Sequence, residues 1–221
     1  SEDEDNQVPA AGGVTLFGNE AFDADRVEMI TIERDGRRTV LTKTGDDWWQ
    51  TEPVRFRLTS WAGGGQLAKT AADLQYVRKA TAGKGDLPPL DQIDLDPARA
   101  VVSFEAKGDE PFTRTVRLGQ SIGKYAYAMI DNDEQVYAVA NDLHEKVIGS
   151  EVKDWRQRSI ELPKEPKATQ VTLSTDQLSI DVLKTDGNWS FNSPHSGRVD
   201  REAIKKLLES AGQISISEFV A

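Results

Sequence analysis

The stretch "IERDGRRTVLTKTGDDWWQTEP", Ile32 to Pro53, decides how the chain is read, because a second stretch lies over it without a gap. That second stretch is "LSTDQLSIDVLKTDGNWSFNSP", Leu173 to Pro194, at an offset of 141 residues, the separation of Trp48 from Trp189. Lys43 falls on Lys184, Trp48 on Trp189, Pro53 on Pro194, Arg57 on Arg198 and Leu67 on Leu208. Identities are few, but they sit at turn, aromatic and strand-end positions, where substitution is hardest to tolerate. Internal self-similarity of this kind marks a repeated structural unit.

Each copy carries the signals of a hairpin, a third strand and a helix. "VEMITIER" and "RRTVLTKT" flank Asp35-Gly36, a strong two-residue turn signal. A tryptophan follows five residues before a proline, and the proline ends the third strand because it cannot donate to a ladder. Thr59 or Ser60 then caps a helix running to about Tyr76, with Leu67, Ala71 and Leu74 on one face. Asp200 takes the cap in the other copy, ahead of Ile204, Leu207, Leu208 and Ala211. A large aromatic at the repeat position fills the space between sheet and helix. Where the second copy reads "EAIKKLLES", the first reads "WAGGGQLAK". Three glycines early in a helix cost about 1 kcal/mol each against Ala. Close packing against a bare helix start is the simpler explanation of Gly63 to Gly65; backbone N–H groups meeting an anion is the other.

Between the copies, "ARAVVSFE" and "FTRTVRL" pair, as do "KYAYAMI" and "QVYAVA", and Asn141 caps a short helix. The division expected is a tether over 1–26, a first β-β-β-α unit over 27–80, a linker over 81–99, a strand-rich middle unit over 100–160 and a last β-β-β-α unit over 161–221. The class expected is α+β: mainly antiparallel sheets with packed helices, built from internally repeated units.

The 221 residues carry 27 Lys and Arg against 37 Asp and Glu, a formal net charge of -10. Nucleic acid and anionic membrane surfaces, which need concentrated basic charge, are poor partners for such a chain. Cysteine is absent, which removes disulfides, thiolate chemistry and Cys-ligated zinc, and two histidines leave little for other metal sites. No metal or other cofactor is expected. The opening "SEDEDNQVPAAGG" has the composition of a tether behind an export or anchor segment.

The one catalytic lure is Gly119-Gln120-Ser121-Ile122-Gly123, the spacing of a hydrolase nucleophile elbow. An elbow needs a strand before its serine and a helix after it. "KYAYAMI" alternates like a strand instead, so Ser121 reads as a loop serine, with a serine hydrolase kept as the lesser alternative. "DNDE" at Asp131 to Glu134 lacks calcium-loop spacing. His144 stands beside, not on, the apolar positions of its helix and is expected to be exposed; His195 lies in a loop. No catalytic residue is assigned. The possible binding surface is aromatic: Trp49, Trp61, Tyr125 and Tyr127, suited to a glycan or peptide.

The ordered set Trp48, Pro53, Pro97, Gly119, Tyr127, Tyr137, Arg156, Trp189 and Pro194 resembles a bacterial domain-of-unknown-function family of repeated Trp/Pro sheet–helix units. Its members are often encoded beside gliding-motility-type ABC transporters and usually carry an N-terminal membrane anchor. The resemblance implies an extracytoplasmic protein, in the periplasm or at the cell surface, tethered by a segment outside this chain and partnered by envelope or ABC-transporter proteins. It implies no catalytic residues. Another "LDP"-type linker would begin where the chain stops, so a longer protein is expected. The resulting expectation is a non-enzymatic interaction or scaffold module, with glycan or peptide binding as the alternative.

Overall fold

The computed structural model describes residues 14–18, 22–60, 63–81, 85, 87–159 and 162–217. The chain forms two compact units, Ser1–Gln157 and Arg158–Ala221. In the first, ten strands form one antiparallel sheet: β1 (Val14–Thr15), β2 (Val27–Arg34), β3 (Arg37–Thr44), β4 (Asp47–Glu52), β5 (Phe56–Arg57), β6 (Gln75–Thr81), β7 (Ala100–Ala106), β8 (Phe112–Ile122), β9 (Tyr125–Ile130) and β10 (Gln135–Ala140). Their order is β1-β6-β10-β9-β8-β7-β2-β3-β4-β5. Helix α1 is Gly64–Ala72 and α2 is Asp142–Val147. The second unit has a four-stranded sheet in the order β11 (Gln170–Ser174), β12 (Ser179–Thr185), β13 (Asn188–Ser193), β14 (Gly197–Arg198), followed by α3 (Arg201–Gly212).

The α+β class expected from the sequence is corrected by this architecture. Fourteen strands stand against three α-helices among the described residues, and the fold is mainly β. Two physical reasons account for the difference. The middle segment supplies four strands but only the six-residue α2, too short to form a layer. The helix expected to reach Tyr76 stops at Ala72, because "QYVRKAT" is taken as β6 between β1 and β10. Its N-cap is Gly63, which makes no side-chain cap bond, rather than Thr59 or Ser60.

The expected boundaries move as well. Leu16, Phe17 and Phe22, placed in the tether, are buried with Phe104 in the main core, with the half-buried Phe112 packed against them. The linker is structural: Ile93 and Leu95 pack with Met129, Val136 and Tyr127 on one face of the large sheet. The opposite face holds the main core of Ile30, Leu41, Val102, Phe104 and Leu118, covered by Leu67 and Ala71 of α1 and Leu143 and Val147 of α2. Alternation in β9 divides its residues between the two faces, Ala126, Ala128 and Ile130 to the main core and Tyr127 and Met129 to the other. Arg34, at the end of β2, reaches the carbonyls of Val147 at 2.7 Å and Ser150 at 3.1 Å and the Glu151 carboxylate at 2.9 Å. It thereby satisfies carbonyls that α2 leaves without intrahelical partners.

At the offset of 141 residues the strand pairings coincide. Ile30↔Leu41 corresponds to Val171↔Val182, Lys43↔Trp48 to Lys184↔Trp189, and Trp49↔Arg57 to Ser190↔Arg198. The register shifts between Val40 and Leu41 and between Asp181 and Val182 also correspond. So do the cis prolines 53 and 194, and the bonds from Leu58 N to Trp48 O and from Val199 N to Trp189 O.

The glycine run is explained by Trp48. A Cβ placed on Gly64 would lie 2.5 Å from Trp48 Cζ3 and closer still to Cδ2 and Cε3, and one on Gly65 would lie 3.2 Å from Nε1. The indole therefore sits against bare helix backbone, where the second unit has the Ile204 side chain at the position of Gly63. Gly64→Ala is expected to destabilise the protein by about 1–3 kcal/mol, because the ring must leave its rotamer or the helix must shift. Gly212→Ala, with nothing within 4 Å of its added Cβ, is expected to be neutral or to stabilise by up to about 1 kcal/mol. Urea unfolding of the two variants beside wild type checks the pair.

In the second unit Trp189 is 2% exposed and packs with Val182, Ala168 and Ile204. Its Nε1 donates to Glu165 Oε1 at 2.9 Å, and the same buried carboxylate accepts from Arg201 at 2.9 Å and pairs with Lys184 at 3.1 Å. The Arg201 hydrogen bond, then those of Trp189 and Lys184, hold the Glu165 carboxyl down at about 2, against an ordinary value of 4.5. Since the folded-state value is the lower one, the stabilisation is complete above 4.5 and is lost as pH falls toward 2. Glu165→Gln is expected to lower the melting temperature at neutral pH. Its deficit against wild type should shrink as acid is added, which thermal denaturation from about pH 6 down to about pH 2.5 measures.

Candidate functional site

Ser121 stands in β8 and not in the loop expected of it, because the strand runs on through Ile122; the chain turns at Gly123 straight into β9 through the pairs Ile122↔Tyr125 and Ser121↔Ala126. No helix follows it. Its hydroxyl donates to Asn141 Oδ1 at 3.1 Å and lies 3.3 Å from the Tyr125 carbonyl. Neither acceptor can take up a proton in the manner of a general base. Gly119 serves packing instead: a Cβ there would strike the Ile93 carbonyl and lie 2.9 Å from Leu95 Cγ. Asn141 occupies the N-cap of α2 without a side-chain cap bond, because its amide is held between Ser121 and Glu145.

Among the described residues the aromatic surface suggested by the sequence does not assemble. Trp61 lies outside the described residues. Trp49 is on β4 and Tyr125 and Tyr127 are on β9, five strand spacings apart in the sheet order. At about 4.8 Å per spacing that is roughly 24 Å. Trp49 carries the Arg55 guanidinium over its ring at 4.5 Å, and Tyr127 packs with the cluster of Ile93, Leu95 and Met129. "DNDE" is likewise tied down: Asp131 accepts from Thr115 N at 2.8 Å and pairs with Arg114 at 2.8 Å, while Asp133 accepts from Tyr137. Burial, and then the Asp133 hydrogen bond, push the Tyr137 phenol up to about 12.

His144, expected at the surface, is buried at 7% exposure. The reason is that α2 lies with its His144 flank against the sheet, where the Gly119 carbonyl is its hydrogen-bond partner. Its Nε2 has no partner among the described residues. Burial, then the positive charge of Arg99, lower its pKa from 6.5, against the smaller opposing effects of the Gly119 carbonyl and Glu145.

What the sequence reading missed is a pair of adjoining clefts along α1 and α2. One, of about 410 Å³, is lined by Leu67, Asp142, Glu145, Lys146, Asp154 and Trp155. The other, of about 490 Å³, runs past Gln66, Thr70, Asp73 and Gln75 and shares Asp142 and Lys146 with the first. The first cleft sets three carboxylates and one lysine beside the apolar Leu67 and Trp155, and the second adds Asp73, a surface complementary to a basic, partly apolar segment. No local motif signals this, because the carboxylates come from separate elements. Among the described residues no group of three or more His, Asp or Glu side chains is placed to hold a metal ion, and no helix is long and apolar enough to cross a membrane.

A family model described as a domain of unknown function, DUF4340, matches residues 62–221, and the chain belongs to that family. No curated protein and no solved structure matches the chain.

The burial of His144 has a measurable consequence. Its folded-state pKa lies below 6.5, so the unfolded chain takes up the proton first, and stability falls as pH drops below 6.5. His144→Leu removes that titration. Its melting temperature is expected to change less than that of wild type between about pH 7.5 and pH 5; an unchanged slope would mean that other groups set it.

Proposed function

We propose that this DUF4340 chain is a non-catalytic interaction and scaffold module of the bacterial cell envelope. It would work outside the cytoplasm, tethered to the membrane and associated with an ABC-type transporter. The observation that carries the reading is the use of its chemically conspicuous side chains as structural parts. Trp48 and Trp189 lie at the same register position beside the helices, Ser121 is tied to Asn141, and Glu165 is saturated by Trp189, Lys184 and Arg201. The coincident strand pairing at an offset of 141 residues supports a tandem array of one sheet–helix unit, a form whose stacked units offer extended surfaces to partners.

The acidic cleft between α1 and α2 is the surface offered to a protein partner. Charge complementarity there would set association rate and salt dependence more than affinity. Affinity purification of the tagged protein from solubilised envelope membranes is expected to recover transporter subunits. The triple substitution Asp142→Asn, Glu145→Gln and Asp154→Asn is expected to reduce that recovery by about 10-fold or more at low ionic strength. Repeated recovery of no transporter subunit would overturn the assignment. A saturable tryptophan fluorescence change on titration with cell-wall glycan would favour the carbohydrate-binding alternative, for which the Arg55-covered Trp49 ring is poorly disposed.

A further inference from the structure

The outermost strand of the second sheet, β11, is paired on one side only, with β12. The other three sheet ends are the two-residue strands β1, β5 and β14. β11 and the Val77–Thr81 part of β6, which β1 leaves uncovered, are therefore the extended free edges among the described residues, and the second of them carries Arg78 and Lys79. Its sequence, Gln170-Val171-Thr172-Leu173-Ser174, has no charge and no proline, and its pairing with β12 has no register shift. Leu173 is 45% exposed, and Leu178 in the adjoining turn is 48% exposed. Soluble proteins ordinarily blunt such edges with charge, proline or a bulge, since unpaired N–H and C=O groups invite another strand. None of those devices is present here.

The first unit shows what the equivalent edge accepts. At the offset of 141 residues β2 corresponds to β11, and β3 to β12, in identical register. On its far side β2 carries β7, antiparallel, with Ile30↔Phe104, Ile32↔Val102 and Arg34↔Ala100. Ala100, Val102 and Phe104 are all fully buried there, and they bury Ile30 and Ile32 with them. Val171 and Leu173 are the counterparts of those two isoleucines, yet one is half-buried and the other exposed. The residues that a β7-like strand seals in the first unit are the ones left open in the second.

We propose that the free edge of β11 is a strand-addition site. Its occupant is an extended segment of a partner protein, paired antiparallel, with small or apolar side chains at alternate positions as in β7. The ladder supplies the affinity, and contact with Val171 and Leu173 supplies the preference for apolar residues at every second position. The proposal deepens the interaction reading and rests on it only in taking the partner to be a protein.

The test uses the full chain and a capped synthetic peptide of sequence ARAVVSFEAK, the residues Ala98 to Lys107, followed by hydrogen–deuterium exchange. Saturating peptide is expected to slow exchange across residues 169–175 by about 10-fold or more, while a scrambled peptide does nothing. Leu173→Lys is expected to abolish that protection with an unchanged circular dichroism spectrum, the position being exposed. Absence of protection, equal protection by the scrambled peptide, or protection retained in Leu173→Lys would each overturn the proposal. So would dimerisation through β11 without peptide uptake, which assigns the edge to a second copy of the chain. Failure here leaves recovery of partners from membranes untouched, so the two readings fail separately.

Discussion

The contact of an indole with the start of the following helix is the constraint around which each unit is built. Lys43↔Trp48 and Lys184↔Trp189 are equivalent cross-strand pairs, and the chain from each tryptophan runs through a cis proline to a short strand and then a helix. The two units meet the constraint differently. In the first, the helix gives up its side chains at Gly63 to Gly65 so that backbone lies on the Trp48 ring. In the second, the helix keeps Ile204, and the indole is enclosed instead by Val182 and Ala168, with the Lys184 ammonium over its ring and Glu165 bonded to its nitrogen. The first solution forgoes helix propensity, and the second buries a carboxylate that must remain fully bonded.

Beyond this shared unit, the first hairpin has become part of something larger. β7 takes the open side of β2, and β8, β9, β10 and β6 continue the ladder, so a three-strand motif ends inside a ten-stranded sheet. This sheet carries cover on both faces. The two helices with Leu16, Phe17 and Phe22 supply it on one face, and residues 87–95 supply it on the other. At Gly119 that second layer lies directly against the strand, and this accounts for the glycine that begins the GQSIG pattern. A packing requirement thus produces a motif with the spacing of a nucleophile elbow.

The acidic character of the chain acquires meaning only at particular places. Glu165 and Asp131 are neutralised by basic neighbours, whereas Asp73, Asp142, Glu145 and Asp154 gather beside a single lysine in the α1–α2 cleft. The first kind of carboxylate stabilises the fold, and the second leaves a field outside it that a basic partner would feel. It is the feature of the first unit on which the proposed interaction role rests.

The amino-acid pattern by itself determined the local units: the two hairpins with their tryptophans, the strand pairs β7–β8 and β9–β10, the Asp200 cap and the strand, in place of a helix, that follows Ser121. These follow from alternation, turn residues and capping chemistry within about twenty residues. Only the tertiary structure decided the mainly-β class, the conversion of "QYVRKAT" into β6, the packing role of 87–95, the burial of His144 and the convergence of carboxylates from α1, α2 and the following turn. Each depends on which distant segment covers a face or completes an edge. That choice is made by the fit of whole surfaces, and no short stretch of sequence encodes it.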